Sequence, residues 1–415
     1  MKNRTILISG ASIAGPALAY WLRRYGFQPT IVERAPAPRG GGQAIDLRGA
    51  ARQVAERMSL MADIRRAHTG AKGMYIVNSE GKRIAAMSAD LLGDSGGLIA
   101  DIEIQRGDLV RILYDATKND SAYRFNDSIT ALSQGEDGFS VSFERGAPQT
   151  FDLVVGADGL HSTVRRLAFG DEAQFTRDLG CYVSIFAAHT NLNLDGWEQM
   201  YRMPGGTAAL YPMRGIHEAR AMFYFASPQL GYDRHNISEQ QQIVAQAFAG
   251  AGWEVPHMLE AMREAPDFYF DRVAQIKMDH WSNGRVALLG DAGYCPSPMT
   301  GMGTSLALVG AYVLAGELAA AEGDHRTAFA RYESELRAYV NLAQKQVNGA
   351  LGFLLPKSNF QVWSYNQMWR MLPYMPWKGL IASGFQKVAN AITLKEYSRY
   401  LVEQPTNQAY GVSSL

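Results

Sequence analysis

Apolar residues fall along this chain in two rhythms. The run TILIS at residues 5–9 is unbroken, as expected of a strand buried on both faces. GASIAGPALAYWLRRYGFQPTIVERAP follows, with Ala17, Leu18, Trp21 and Leu22 at helical spacing. Gly26 is placed to end that helix, and PTIVE reads as the next strand. Strand, helix and strand in this order predict a βαβ unit, hence a parallel sheet with a right-handed crossover. Helices are expected near 50–67 and 106–117. Between 121 and 158 the rhythm changes to short alternating strands that end in FDLVVGADG. Residues 175–230 are strand-like, with TAALYPMRG and ARAMFYFAS as an antiparallel pair, and 238–264 read as helical. GRVALLGD returns to a buried strand, and from about 303 onward the pattern is mostly helical.

The expected fold is therefore α/β. A Rossmann-like domain is drawn from residues 1–72, 100–175 and 275–335, and a β-rich domain from 73–99 and 176–274 is interleaved with it. Residues 336–415 supply C-terminal helices, one bridging both domains and a second packed beside it.

Composition narrows the function. The chain has 415 residues, 47% apolar and 19% charged, with 40 basic residues against 40 acidic. A neutral chain gives no electrostatic case for nucleic acid or for an anionic membrane. Two cysteines, Cys181 and Cys295, without a CxxC, exclude a disulfide framework and a thiolate zinc site. Eight histidines without HxxxH or HxH spacing offer no metal site. The opening MKNRTILISGAS lacks a secretory apolar region and a cleavage pattern. The longest apolar stretch, 306–321, carries Glu317 and reads as a buried helix rather than a membrane span. A cytoplasmic protein is expected, monomeric or weakly dimeric.

GASIAG, residues 10–15, follows a strand and opens a helix. Gly10 permits the tight turn, Gly15 permits close helix–strand packing, and the helix N-terminus would face a pyrophosphate. Ser12 stands where a glycine is usual. Glu33 ends the second strand at the spacing of an acid that binds ribose hydroxyls. It would repel a 2′-phosphate, so the adenosine of FAD or NAD fits and that of NADP does not. A serine-hydrolase reading of Ser12 fails, because GxSxG needs one residue fewer. The bland alternative is a turn without a ligand.

Two later segments favour a flavin over a nicotinamide. In GADGLHSTVRR, residues 156–166, a buried strand ends at Asp158, and Ser162 and Thr163 are placed to cap the next helix. In GRVALLGDAGYCPSPMTGMGTSLAL, residues 284–308, a strand ends in Asp291, an acceptor suited to sugar-alcohol hydroxyls. Pro296 and Pro298 stiffen the turn. Gly301 and Gly303 bring bare backbone toward a flat ligand, and the helix beginning near Thr304 points its positive end there.

These three segments, in this order, resemble the class A flavoprotein monooxygenases, which have the fold of para-hydroxybenzoate hydroxylase. GGQAIDLRG, EIQRGDLVRIL, DFYFDRVAQIKM, GDAGYCPSP and VGAYVLAGEL resemble most closely the soil-type tetracycline destructases. The resemblance implies that the Rossmann-like domain binds FAD and the β-rich domain binds substrate. It implies an FAD set of Gly10, Ser12, Ile13, Ala14, Gly15, Glu33, Arg34, Asp46, Arg106, Asp158, Asp291, Pro298, Gly301, Met302, Gly303 and Thr304. The sequence departs from the family pattern at Tyr294, usually His, at Gly310, often Asp, and at Met302, often Gln.

The implied activity is that of an NAD(P)H-consuming monooxygenase. NADPH or NADH is a transient co-substrate, and one oxygen atom of O₂ passes from a C4a-hydroperoxyflavin to a polycyclic phenol or enol, tetracycline-type antibiotics included. The flavin carries the chemistry, so no catalytic triad or metal is expected. One dinucleotide fingerprint leaves no separate NADPH domain. Candidate substrate residues are Tyr211, Met213, Arg214, Met222 and Tyr224, although alternation alone leaves their face open. The aromatic C-terminal segment reads as bridging helices, as a border of the substrate entrance, or as an amphipathic membrane contact. Deletion after residue 376 is expected to separate the first two readings. The competing functions are a tailoring hydroxylase of aromatic metabolism, a flavin-bound sequestering protein, and an NAD-dependent dehydrogenase.

Overall fold

The computed structural model describes residues 2–89, 102–135, 138–213, 218–376, 384 and 386–402. Among these, six strands form one sheet in the order Ser282–Asn283, Val286–Leu288, Leu153–Gly156, Thr5–Ser9, Gln28–Glu33, Ala122–Phe125. Every neighbouring pair is parallel except Ser282–Asn283 with Val286–Leu288. TILIS lies inside this sheet with Ile6, Leu7 and Ile8 fully buried, which is why its pattern does not alternate. Helix Ala14–Arg24 connects it to Gln28–Glu33, and Gly26, at φ +83°, closes the helix in the left-handed region. Helix Gly303–Ala320 packs against Ala14–Arg24, with the rings of Trp21 and Tyr312 edge-on at 4.9 Å. That helix is apolar and long enough to cross a membrane by length and composition, yet 89% of it is buried inside the protein.

A second sheet has the order Tyr269–Ile276, Thr176–His189, Glu218–Ala226, Gly206–Pro212, Trp197–Met203, Gly73–Val77, Arg83–Ser88. It is antiparallel apart from Trp197–Met203 with Gly73–Val77. The expected hairpin is present, with Ala209 opposite Met222. One face packs through Phe223 and Phe225 on helices Ile237–Ala247 and Val255–Glu264. The other face meets Met299 and the helices Val347–Leu354 and Asn359–Met371.

Two expected helices are each divided. The 50–67 segment breaks at Ser59, φ +60°, and 238–264 breaks where Gly250 and Trp253 adopt positive φ. Helix His325–Lys345 starts well before residue 336. The chain then returns to helix Gly303–Ala320, where the Tyr397 hydroxyl donates to Glu317 Oε1 at 2.7 Å. A strand pair, Ala44–Asp46 with Glu103–Gln105, completes the frame of the site.

Candidate functional site

Gly10, Glu33, Asp158 and Asp291 lie at or just beyond the carboxyl ends of four neighbouring parallel strands. This end of an open α/β sheet is where such folds bind ligands. Gly10 has φ +107°, and a Cβ there would lie 2.5 Å from the Ala157 carbonyl oxygen. A Cβ on Gly15 would lie 1.9 Å from the Gly10 oxygen, so the turn closes only on glycine. Ile13 is the N-cap of Ala14–Arg24; no side chain caps this helix and no acid lies in its first turn. Its N–H groups and dipole are left for an external anion. Glu33 Oε2 accepts the Ala11 N–H and Oε1 the Ala35 N–H, both at 2.9 Å, which fixes the carboxylate beside the turn. Arg34 is exposed at the rim.

Pairing of Asp46 with Glu103 brings Arg106, three residues on, over the glycine turn. Arg106 Nη2 donates to Ser12 Oγ at 2.9 Å, so the serine in the glycine's place serves as the seat of this arginine. Arg48 donates to Asp46 Oδ2 at 2.7 Å through Nη2. Opposite them, Asp291 begins a short helix after Gly290, which has φ +65°. Burial pushes the Asp291 carboxyl up; a hydrogen bond with the Cys295 thiol and the Arg106 charge act against the rise. A Cβ on Gly303 would lie 3.7 Å from Asp291 Oδ1, and one on Gly301 would lie 3.5 Å from Asp46 Oδ2. Gly301 itself needs φ +63°. Helix Gly303–Ala320, like Ala14–Arg24, has no capping side chain and no acid in its first turn. Asp46, Arg106 and Asp291 therefore surround one space between two uncapped helix N-termini.

The remaining motif residues divide by role. Pro298 and Gly301 are exposed on the turn, whereas Met302 is 2% exposed and packs into the core, and its N–H donates to Thr300 Oγ1 at 3.2 Å. Thr304 is buried in the first turn of its helix. Asp158 is held internally: it accepts from Ser162 Oγ at 2.5 Å and from the N–H groups of Thr163 and Val164 at 2.8 and 3.2 Å. It shapes the turn after Leu153–Gly156 and fixes the start of the next helix, which Ser162 caps as expected.

This donor set fits a flavin dinucleotide. It offers two helix N-termini for anionic groups, carboxylates for sugar hydroxyls, and a glycine cradle that side chains would fill. Among the described residues, no cluster of His, Cys, Asp or Glu could hold a metal.

The register settles which candidates share a face of the seven-stranded sheet. Tyr211, Met222 and Tyr224 lie on the face that packs with Met299, next to the glycine-rich turn. Met213 is half-buried at the end of the same hairpin, and Arg214 lies outside the described residues. Glu198 belongs with them: it shares this face, is hydrogen-bonded with Tyr211, and burial pushes its carboxyl up to about 8. The reading of single residues missed Glu198 and Arg48. The alternation of WEQMYRM and the proximity of Arg48 to Asp46 were the available signals.

A family profile described as FAD binding domain matches residues 3–346. The chain belongs to this FAD-binding family of flavin-dependent monooxygenases. It is 42% identical over 344 residues to a flavin-dependent monooxygenase of an unknown prokaryotic organism, covering 82% of this chain and 88% of the relative. It is 45% identical over 362 residues to an uncharacterized protein of Mycobacterium tuberculosis, covering 86% and 97%. Among solved structures, tetracycline destructase Tet(55) matches with a TM-score of 0.82 at 38% identity, covering 96% of this chain and all (100%) of that one. FAD is thus the cofactor of this oxidoreductase. The dehydrogenase and sequestering readings give way to monooxygenation.

Proposed function

We propose that this monooxygenase consumes NADPH or NADH and transfers one oxygen atom of O₂ to a polycyclic phenol or enol, with tetracycline-type antibiotics among its substrates. The observation that carries the reading is the apolar, aromatic sheet face of Tyr211, Met222 and Tyr224 set against Met299 beside the cofactor seat. Flat, mostly apolar ligands suit such a wall. The full-length likeness to tetracycline destructases Tet(51) and Tet(55), at 36% and 38% identity, supports the antibiotic class.

In this reading Glu33 accepts from the ribose of FAD. The first turn of Ala14–Arg24, through Ile13, Ala14 and Gly15, takes the pyrophosphate, and Ser12 and Arg106 close over it. Arg34 guards the adenosine rim, and Asp158 maintains the neighbouring turn. Asp291 accepts from the ribityl hydroxyls. Pro298 shapes the wall, and Gly303 and Thr304 present backbone N–H groups and their helix dipole to the ring; the expected donors Gly301 and Met302 are instead held within the turn, by the Pro298 carbonyl at 3.1 Å and Thr300 Oγ1 at 3.2 Å. Bound FAD supplies the redox and oxygen chemistry. The protein's own contribution is orientation and exclusion of water. Asp46, tied to Arg48, holds the wall between Arg106 and the turn at Gly301. Glu198 Oε1 has no partner among the described residues. It stands beside Tyr211, and because burial keeps its carboxyl protonated below about 8 it can donate a hydrogen bond to a phenolic or enolic oxygen.

A second reading, a tailoring hydroxylase, draws on the same sheet face, which would accept other polycyclic phenols; the chain is also 32% identical over 411 residues to Monooxygenase CTB7 of Cercospora beticola, covering 90% of this chain and 95% of the relative. Both readings face one experiment. Tetracyclines and polycyclic phenols are tested for stimulated NADPH oxidation and for products one oxygen atom heavier. Oxygenated tetracycline supports the first reading, and oxygenation of polycyclic phenols alone supports the second. No stimulation by any member of either group overturns both.

A further inference from the structure

Strand Trp197–Met203 carries an arginine where the sheet faces the C-terminal helices. Arg202 lies opposite Thr207 in the register, on the same face as Met200, Ala209 and Tyr211. It is 3% exposed. Its Nη2 donates to Asn366 Oδ1 at 2.7 Å, and its guanidinium lies over the Phe353 ring at 4.5 Å. Nε and Nη1 are buried and have no partner among the described residues. No carboxylate among those residues pairs with this cation. Burial lowers its pKa to about 10, and only the nearby Tyr365 acts the other way.

A second donor is stranded in the same interface. Trp369 is three residues beyond Asn366 on helix Asn359–Met371, and so on the same helical face. It is 5% exposed and packs with Met200 and Ala209, and its Nε1–H has no partner among the described residues. Arginine and tryptophan only donate. Two stranded donors, one of them charged, are costly unless an acceptor reaches them. The interface is otherwise well anchored: Thr207 donates to the Leu354 carbonyl at 2.5 Å and the Gly205 N–H to that of Pro356 at 2.7 Å. Loose packing of the helices therefore does not account for the stranded groups.

We infer that Arg202 and Trp369, with Asn366 as the positioning residue for the guanidinium, form a recognition pocket for an anionic oxygen, a carboxylate or enolate, between the sheet and the C-terminal helices. The face that holds it is continuous with Tyr211 and Met222, so the anion is one end of a ligand whose rings lie along that face. This rests on the substrate reading above for the origin of the anion, but not for the pocket itself.

The probes are naphthoate and its neutral amide, naphthamide. Their dissociation constants are measured on the FAD-loaded enzyme from the change in flavin absorbance and from the melting temperature. The acid should bind about tenfold or more tightly than the amide, as expected for a buried charge-assisted pair. Arg202→Met should abolish that preference and Arg202→Lys should restore part of it. Trp369→Phe keeps the ring and should weaken the acid alone by a few-fold, a test that stands if Arg202→Met does not fold. Equal binding of acid and amide by the unaltered protein overturns the pocket. So does a preference that survives in the variants, with only the melting temperature lowered, which would make Arg202 a helix anchor. Competition between naphthoate and naphthol assigns the anion to the substrate, and independent binding assigns it to a separate small carboxylate; either result retains the pocket. Failure of the polycyclic substrate reading appears separately, as absent turnover with the acid preference intact.

Discussion

Tyr294 and Gly310, two positions where the resemblance leads one to expect His and Asp, form one structural feature. The Tyr294 ring is 1% exposed and tilted against that of Trp281 with centroids 4.5 Å apart, and its hydroxyl shares a 2.9 Å hydrogen bond with that of Tyr332. Tyr332 in turn donates to the Leu288 carbonyl at 3.0 Å, at the end of the strand that precedes Asp291. A Cβ on Gly310 would lie 2.3 Å from the Tyr294 hydroxyl. The larger side chain at 294 thus requires the missing one at 310. Gly310→Ala should destabilise the protein by about 1–3 kcal/mol through overpacking. In the Tyr294→Phe background the added methyl group meets no hydroxyl, so its cost should fall. Chemical denaturation of the four proteins measures the coupling; equal costs in both backgrounds would show that the two positions are independent. Sequence displayed both departures, but their coupling needed the close approach of helix Gly303–Ala320 to the segment after Leu288, which no spacing along the chain reveals.

Among the elements, those with a strong local signal were readable. TILIS, the glycine turn, PTIVE and GRVALLGD owe their patterns to burial on both faces or to a turn that only glycine makes. Ser59 and Trp253, at φ +60° and +57°, broke helices that apolar periodicity had joined, because neither residue type announces a left-handed turn. The C-terminal segment was less legible still. A Cβ on Gly316 would lie 2.3 Å from the Tyr397 ring, and Glu317, 2% exposed, accepts from Tyr397 and from Lys395 Nζ at 2.7 and 2.9 Å. Deletion after residue 376 removes both donors and leaves a buried carboxylate without them. The truncated chain should therefore fail to reach a stable fold, and substrate affinity alone cannot be read from it. Tyr397→Phe is the sharper variant. It should lower stability by about 1–3 kcal/mol, the cost of leaving a buried acceptor short of a donor, while KM for any substrate stays unchanged. Thermal melting and steady-state kinetics check the two halves, and a raised KM would place this segment at the substrate entrance.

At the scale of the whole molecule, the two large sheets are joined by a charge network that begins in the GADGLHSTVRR motif. His161 contacts Glu172 at 3.0 Å through Nδ1 and Asp271 at 2.8 Å through Nε2. Arg272, beside Asp271 on the second sheet, donates to Glu172 at 2.8 Å, and the fully buried Arg165 donates to it at 3.2 Å. Arg165 also reaches the Ala292 carbonyl, just past Asp291, at 2.8 Å. The sequence pattern offers a helix cap and a place in the flavin seat for this motif but no link to the second sheet, since nothing local indicates that Asp271, about a hundred residues on, returns to His161. Burial alone would raise the Glu172 carboxyl, but hydrogen bonding with His161 and the charges of His161, Arg234 and Arg165 hold it down to about 2. Burial likewise opposes a charged His161, yet Asp271 and Glu172 outweigh it and raise the imidazole above 6.5. The signs then follow from linkage. The stability from Glu172 is present above pH 4.5 and is lost as pH falls through about 2. That from His161 is present below pH 6.5 and is lost as pH rises through its higher folded value. The wild-type advantage in melting temperature over Glu172→Gln should therefore be largest between pH 4.5 and 6.5 and shrink on both sides. Melting curves of the two FAD-loaded proteins across that range check it. A difference that does not vary with pH would mean that Glu172 joins the sheets by packing alone.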